Sequence, residues 1–365
     1  MTQQTARILV INPGSTSTKL AVYADREAQW SHTVGHPVEQ LAAFPRIIDQ
    51  YEFRKQLVLE ALEEAGIPFA FDAIVGRGGL LHPIPGGVYE VNDAMLHDII
   101  HAKRTHPCNL GCLIAHELAV MLPGCRAFIA DPGVVDELDD IARISGMPDL
   151  PHLAFWHALN QRAIGRRFAA DLTAQHPDRP VRYADLNLII CHMGGGISVG
   201  THRLGRAVDV PNALDGDGPF APERAGNVDA GQLIELCYAH PDGKEEIKRR
   251  ICGKGGLVAH LGTTDIPAIE RRIAEGDQHA ELVLNAMIYR IAKEIGAAAV
   301  VLYGQIDAIL LTGGMARSAY ITSRLTERVS FLAPVHIYPG EDEMEALAHN
   351  AWAALRGLVE VKVYQ

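Results

Sequence analysis

Four short stretches of small residues could bring the backbone close to a polyanion: NPGSTSTK at 12–19, HMGGG at 192–196, GKGG at 253–256 and GGMARS at 313–318. Turns without bulky side chains can aim N–H groups at phosphate oxygens. Each turn alone is compatible with a plain hairpin. Four in one chain, each following a strand-like run or opening a helical one, point to phosphate chemistry. None fits G-x-x-x-x-G-K-[ST] or G-x-G-x-x-G. In the first turn, Asn12 is followed by Ser15, Thr16, Ser17 and Thr18, which gathers an amide and several hydroxyls around a phosphate-sized spot. Lys19 is adjacent, but the alternation that buries Leu20 and Val22 can send it to solvent.

Four further side chains stand where such chemistry needs them. Arg77, in VGRGG, and Arg224, in PFAPERAGNVD, lie on glycine- or proline-shaped loops. A guanidinium held there can grip a carboxylate or phosphate bidentately, although a surface arginine on a turn has the same signature. His192 ends the apolar run LNLIIC and faces Met-Gly-Gly-Gly, where it can donate to a phosphoryl oxygen or sit as a core histidine. Asp131 ends AFIAD before a proline and could orient Mg²⁺ through water. His97 and His101 have i, i+4 spacing but no third zinc ligand nearby. There is no G-x-S-x-G elbow and no H-E-x-x-H.

The elements that must carry these residues alternate, which reads as α/β. Strands are expected at 7–12, 18–23, 72–76, 126–130, 186–191, 197–201 and 307–312. Helices are expected at 56–65, 93–104 after the N-cap Asn92, 153–170, 278–303 and 343–356. Met95, Leu96, Ile99 and Ile100 share one face of the second helix. Leu284, Ile288, Ile291, Ile295, Ala298 and Leu302 keep a regular stripe along the fourth. Asp342 can cap the last, and Gly357 stands where it should stop. ILVINPGSTSTKLAVY and NLIICHMGGGISVGTHRLG share one pattern, strand–small turn–strand, a weak internal repeat. The MPDLP stretch at 147–151 is the expected crossover between two lobes.

At 365 residues the chain suggests two domains. Its net charge of -11 and lack of a Lys/Arg tract argue against a nucleic-acid or anionic-membrane partner. No apolar run reaches the ~18–20 residues of a membrane span, and the N-terminus lacks a signal pattern, so a cytoplasmic protein is expected. The six scattered cysteines form no C-x-x-C pair and read as reduced thiols.

Eight collinear segments together resemble the acetate kinase family, within the superfamily of actin, sugar kinases and heat-shock chaperone ATPases. They are INPGSTSTKLAVY, VGRGGLLHPIPGGVYEVN, HPCNLGCLIAHELA, ADPGVVDELDDIARISGMP, CHMGGGISVGTH, DGDGPFAPERAGNVD, LTGGMARS and YPGEDEMEALAHNAW. VGRGGL, PFAPERAG and YPGEDEMEAL are specific; the glycine turns are not. The resemblance implies two lobes of duplicated actin-like (ribonuclease H-like) β/α topology around a nucleotide cleft. The expected N-terminal lobe is 1–150 plus a returning helix at 343–365, and the expected C-terminal lobe is 151–342.

The resemblance also implies transfer from ATP, with Mg²⁺, to a short-chain carboxylate, giving ADP and an acyl phosphate; because a carboxylate is already a nucleophile, direct in-line transfer is the expected mechanism. Butanoate is the expected acceptor, with acetate, propionate and isobutyrate as alternatives. A non-catalytic actin-like ATP-binding module is the alternative of a different class. By motif, Asn12, Arg77, Asp131, His192 and Arg224 match catalytic positions. Gly313, Gly314 and Met315 match the adenosine-contacting turn, while Ser15, Thr16 and Gly194, Gly195 and Gly196 are the phosphate-facing candidates. Asp131 and a late glutamate, Glu343 or Glu345, would position Mg²⁺. Glu345 stands where a capping box would place it, which favours Glu343. His106, just before PCNL, is offset by one residue from a functional histidine of the family. The resemblance also implies a homo-oligomer.

Overall fold

The computed structural model describes residues 5–102, 105–239 and 243–365. The chain divides into two units, Met1–Val135 with Asp342–Gln365, and Asp136–Glu341. The first unit is built on a seven-stranded sheet. Its strands are Arg7–Pro13 (β1), Ser17–Ala24 (β2), Glu27–Gly35 (β3), Ala73–Gly76 (β4), Val88–Glu90 (β5), Arg126–Ala130 (β6) and, from the end of the chain, Val361–Lys362 (β12). Their spatial order is β12-β5-β6-β4-β1-β2-β3. β1 lies parallel to β4, and β4 parallel to β6. The helices Asn109–Val120 and Glu343–Leu355 both pack on this part of the sheet. Ile8, Leu9, Val10 and Ile11 are therefore fully buried, which is why β1 reads as a continuous apolar run instead of an alternation.

The second unit carries a five-stranded sheet made of Asn187–Met193 (β7), Ile197–Arg203 (β8), Arg206–Asp209 (β9), Ala308–Gly313 (β10) and Val335–Pro339 (β11). The order is β11-β10-β7-β8-β9. The helix Gln278–Val301 covers one face, with Leu284, Ile288, Ile291 and Ile295 buried, as the stripe requires. The helix Ala158–Gln175 packs against β7 and β10 through Ile164, Phe168 and Ala169. The repeat seen in the sequence is real at this level: β1–β2 and β7–β8 are both antiparallel hairpins closed by a small-residue turn.

Several boundaries differ from the sequence reading, each for a local reason. The expected crossover at 147–151 lies inside the second unit. Asp139 N–H donates to Val208 O, and Glu137 pairs with Arg162 at 2.9 Å, so the chain joins this unit before MPDLP. The helix expected at 153–170 starts at Ala158, because Phe155 is held as a bridge to Asn212. The helix expected at 56–65 begins earlier, at Tyr51. Asn92 caps the next helix through Met95 N–H, but that helix ends at Ile100, and residues 103–104 of the expected span lie outside the described residues. Ile100 is exposed, unlike Met95 and Ile99. Asp342 occupies the N-cap position of the last helix with φ 41° and makes no side-chain capping bond. Gly357, at φ 67°, ends it as expected.

Candidate active site

In the first unit, the β1–β2 turn rests on a buried cation. Arg54, fully buried on the helix Tyr51–Glu64, donates to the carbonyls of Gly14, Ser15 and Ser17 and to Thr18 Oγ1 at 2.8–3.3 Å. Gln50 Oε1 takes two more of its N–H groups. Every one of these acceptors is neutral. Burial accordingly pushes the guanidinium down to about 10. Thr18 also meets His36 Nε2 at 2.8 Å, and burial followed by the Arg54 charge holds the His36 imidazole down at about 4. The carbonyls of the turn are thus committed inward. Ser15 and Thr16 stand exposed at its tip, and Lys19 points to solvent.

Arg54 was not anticipated from the sequence, although a signal existed. It lies four, seven and eight positions before Val58, Ala61 and Leu62, which puts a charge on the buried face of its own helix.

Asn12, the penultimate residue of β1, is buried. Its Nδ2 donates to Glu343 Oε2 at 2.8 Å. Arg77, one residue past β4, donates Nη1 to the same oxygen at 3.0 Å. The strand reaches this point because Gly76 and Gly111 let β4 and the helix Asn109–Val120 touch: a Cβ on Gly76 would lie 2.0 Å from Gly111 O. Glu343, the first residue of the last helix, is 8 % exposed, whereas Glu345 is half-exposed and lies 3.8 Å from His349. Burial pushes the Cys108 thiol up to about 11, with Arg77 pulling it down and Glu343 pushing it up, so this thiol lies in the field of the ion pair and stays protonated. The six cysteines are all free thiols.

Asp131, at the end of β6, is buried at φ 40° and exchanges two hydrogen bonds with Gly87: its N–H to Gly87 O at 3.0 Å and its Oδ1 from Gly87 N–H at 2.8 Å. His106 Nδ1 accepts from Cys108 N–H at 3.2 Å in a local turn. Asn12, Arg77 and Glu343 are therefore in direct contact, while Asp131 is anchored through Gly87. Among the described residues, no group of three or more His, Cys, Asp or Glu could hold a metal ion alone.

In the second unit, His192 is buried at the end of β7. Its Nδ1 meets Asn160 Oδ1 at 2.8 Å, and its ring stacks on His157 with centroids 3.9 Å apart and planes 13° from parallel. His157 Nδ1 is in turn 2.8 Å from Ser198 Oγ. A Cβ on Gly194 would stand 2.9 Å from His192 Nε2, so that nitrogen faces the glycine turn. Arg224 is steered by Nη1 donating to Ala213 O at 2.9 Å. Its guanidinium lies so close to Gly196 that a Cβ there would come within 2.5 Å.

A cavity of about 510 Å³ opens beside this turn, lined by Gly194, Gly195, Glu270, Gly314, Met315 and Ser318 among others. It is large enough for a nucleoside. Ser318 hydrogen-bonds Glu270 and caps the helix Ala319–Val329 through Ile321 N–H. Gly313, expected with Gly314 and Met315 to contact the adenosine, does not line the cavity: it sits at φ 91°, a Cβ there would meet Met193 O at 2.3 Å, and it exchanges two backbone bonds with Gly340. Gly196 packs on Arg224 and does not line the space. The GKGG stretch at 253–256 does not line it either: Lys254 pairs with Glu246, and Gly256 is packed against Ala221 O.

Residues 164–341 match the model of the acetokinase family. A Bacteroides thetaiotaomicron chain named probable butyrate kinase is 62% identical over 98% of this chain and 100% of its own. A Phocaeicola vulgatus chain of the same name is 49% identical over 98% of this chain and 99% of its own. Among solved structures, the acetate kinase of Porphyromonas gingivalis superposes with TM-score 0.74 at 19% identity, covering 95% of this chain and 99% of that one. A propionate kinase from Francisella tularensis gives 0.71 at 17% identity, covering 94% and 98%. At those identities the likeness is one of fold, and it is to duplicated actin-like units.

Proposed function

The chain belongs to the acetokinase family, and from that membership we propose that it transfers the γ-phosphoryl group of ATP to a short-chain carboxylate, butanoate first among them. The observation that carries this reading is the full-length likeness to chains named probable butyrate kinases. The side-chain geometry fits it.

The chemistry asks for little covalent help. A carboxylate is ionised at neutral pH and is already a nucleophile. One of its oxygens attacks the γ-phosphorus, the bond from that phosphorus to the β,γ-bridging oxygen breaks, and ADP leaves. Catalysis is then positioning and charge neutralisation. Arg77 holds the substrate carboxylate, a role suited to a guanidinium that already binds a carboxylate oxygen of Glu343. Arg224 and His192 donate to the equatorial oxygens of the moving phosphoryl group. Asn12, beside the serine- and threonine-rich turn, anchors the phosphate region. The cavity at Gly314 and Met315 takes the adenosine.

Mg²⁺ would be held by Asp131 and Glu343 together with the nucleotide's own oxygens. When bound, it supplies neutralisation of phosphate charge. Both carboxylates are buried and oriented through one oxygen, by Gly87 and by Asn12 with Arg77 respectively, which fits donors for such an ion.

The reverse reaction tests the assignment cleanly. With butanoyl phosphate, ADP and Mg²⁺, phosphorus NMR should show ATP growing as the acyl phosphate disappears. Hydrolysis of butanoyl phosphate to inorganic phosphate without ATP would contradict it.

A further inference from the structure

We infer that Asn160 is a positioning residue that fixes which ring nitrogen of His192 carries the proton. Donors and acceptors are fixed in order through three residues of the second unit. Asn160 Nδ2 lies 2.6 Å from the carbonyl oxygen of Glu341. A carbonyl can only accept, so the amide must turn its NH₂ to Glu341 and its oxygen to the other side. That oxygen, Oδ1, faces His192 Nδ1 at 2.8 Å. An amide oxygen can also only accept, so Nδ1 of His192 carries the hydrogen. Asn160 cannot flip to relieve this order without setting its NH₂ against a protonated nitrogen and its oxygen against a carbonyl.

The surroundings make the order rigid. Asn160 is fully buried, and His192 is 2 % exposed. The stacked ring of His157, itself tied to Ser198, fixes the plane of the His192 imidazole. Asn160 fixes its rotation and its tautomer.

The consequence concerns Nε2, the nitrogen on the Gly194 side. With Nδ1 already protonated, neutral His192 presents a lone pair at Nε2, which repels a phosphoryl oxygen. His192 can donate there only as the imidazolium. Asn160 thus commits the histidine to act as a cation toward the phosphoryl group. This last step rests on the carboxylate-kinase reading; the tautomer does not.

The test uses the full chain labelled with ¹⁵N-histidine, with the His192 resonances identified by their loss in His192→Gln. Long-range ¹H–¹⁵N correlation at alkaline pH distinguishes the two tautomers directly. The wild type should show His192 protonated at Nδ1, and a spectrum of the Nε2–H form or of a rapid mixture would overturn the inference. Asn160→Leu should lose the Nδ1–H tautomer and lower kcat by up to about 100-fold, the cost of one preorganised donor, with the KM values for ATP and acid far less affected. Asn160→Asp keeps an acceptor opposite Nδ1 but loses the NH₂ that Glu341 O accepts; where a thermal melt shows it folded, it should retain the tautomer and recover part of kcat, and the same melt on Asn160→Leu separates loss of the tautomer from loss of the fold. Unchanged kcat in folded Asn160→Leu, or a loss confined to KM, would remove Asn160 from a positioning role. If no acid is phosphorylated at all, the tautomer still reads out, so failure of the functional assignment remains distinct.

Discussion

Asn12 and Glu343, 331 positions apart in the sequence, share a 2.8 Å hydrogen bond on which Arg77 also converges at 3.0 Å. The end of the first strand, the loop after the fourth and the start of the last helix are thereby locked at one carboxylate oxygen. Glu343→Gln keeps the shape and an acceptor for Asn12 but removes the charge. Turnover should fall roughly 10²-fold with only a small change in melting temperature, since Arg77 is partly exposed and its pairing energy is screened. Steady-state kinetics beside a thermal melt decides it; full activity would remove Glu343 from the reaction.

Arg224 and Gly196 form a second test. Arg224→Ala should cost about 10²-fold or more in kcat as a lost transition-state donor. Gly196→Ala should do much the same without touching the arginine, because its methyl group would come within 2.5 Å of the guanidinium and displace it. A folded Gly196→Ala protein with wild-type kcat would show that the arginine's placement there is irrelevant.

Gly314 borders the cavity, and a Cβ at this position meets nothing within 4 Å, so a larger side chain grows into open space. Gly314→Leu should raise the KM for ATP about tenfold or more while leaving the KM for the carboxylate nearly unchanged. Equal effects on both substrates would argue against adenosine in this space.

His36 predicts an acid-sensitive component of stability. Its pKa is lowered from 6.5 to about 4, first by burial and then by Arg54, so the native state favours the neutral ring. The sign follows from a depressed folded value: the stabilisation is complete above pH 6.5 and is lost as pH falls toward about 4. The full shift corresponds to at most about 3 kcal/mol. Urea unfolding of wild type and His36→Gln at several pH values should show the difference between them shrinking across that window. A difference independent of pH would contradict the assignment.

Much of this was legible in the chain, and the residues say why. The hairpins around Asn12 and His192 announce themselves because a continuous buried apolar run meets a turn of small residues. The long stripe from Leu284 to Leu302 is equally plain. Glu343 and Glu345 could be separated only weakly in sequence, and burial against exposure separates them in space.

The edge strands were not legible. EAQWSHTVG in β3 and VHIYP in β11 are exposed or half-buried along their length, so neither alternates. Arg54 is hard to read as buried, because arginine at a helix position ordinarily means solvent. Asn160 gives no sequence signal, because its partners, His192 and Glu341, lie 32 and 181 positions away and no local pattern links them.

The central claim is the acceptor. Acyl-phosphate formation, trapped as hydroxamate, should be measured with ATP, Mg²⁺ and straight and branched acids from two to six carbons. Signal peaking at butanoate or isobutyrate is the predicted result. No signal with any acid, while ATP still binds, would contradict the account and leave an ATP-binding module without carboxylate kinase activity.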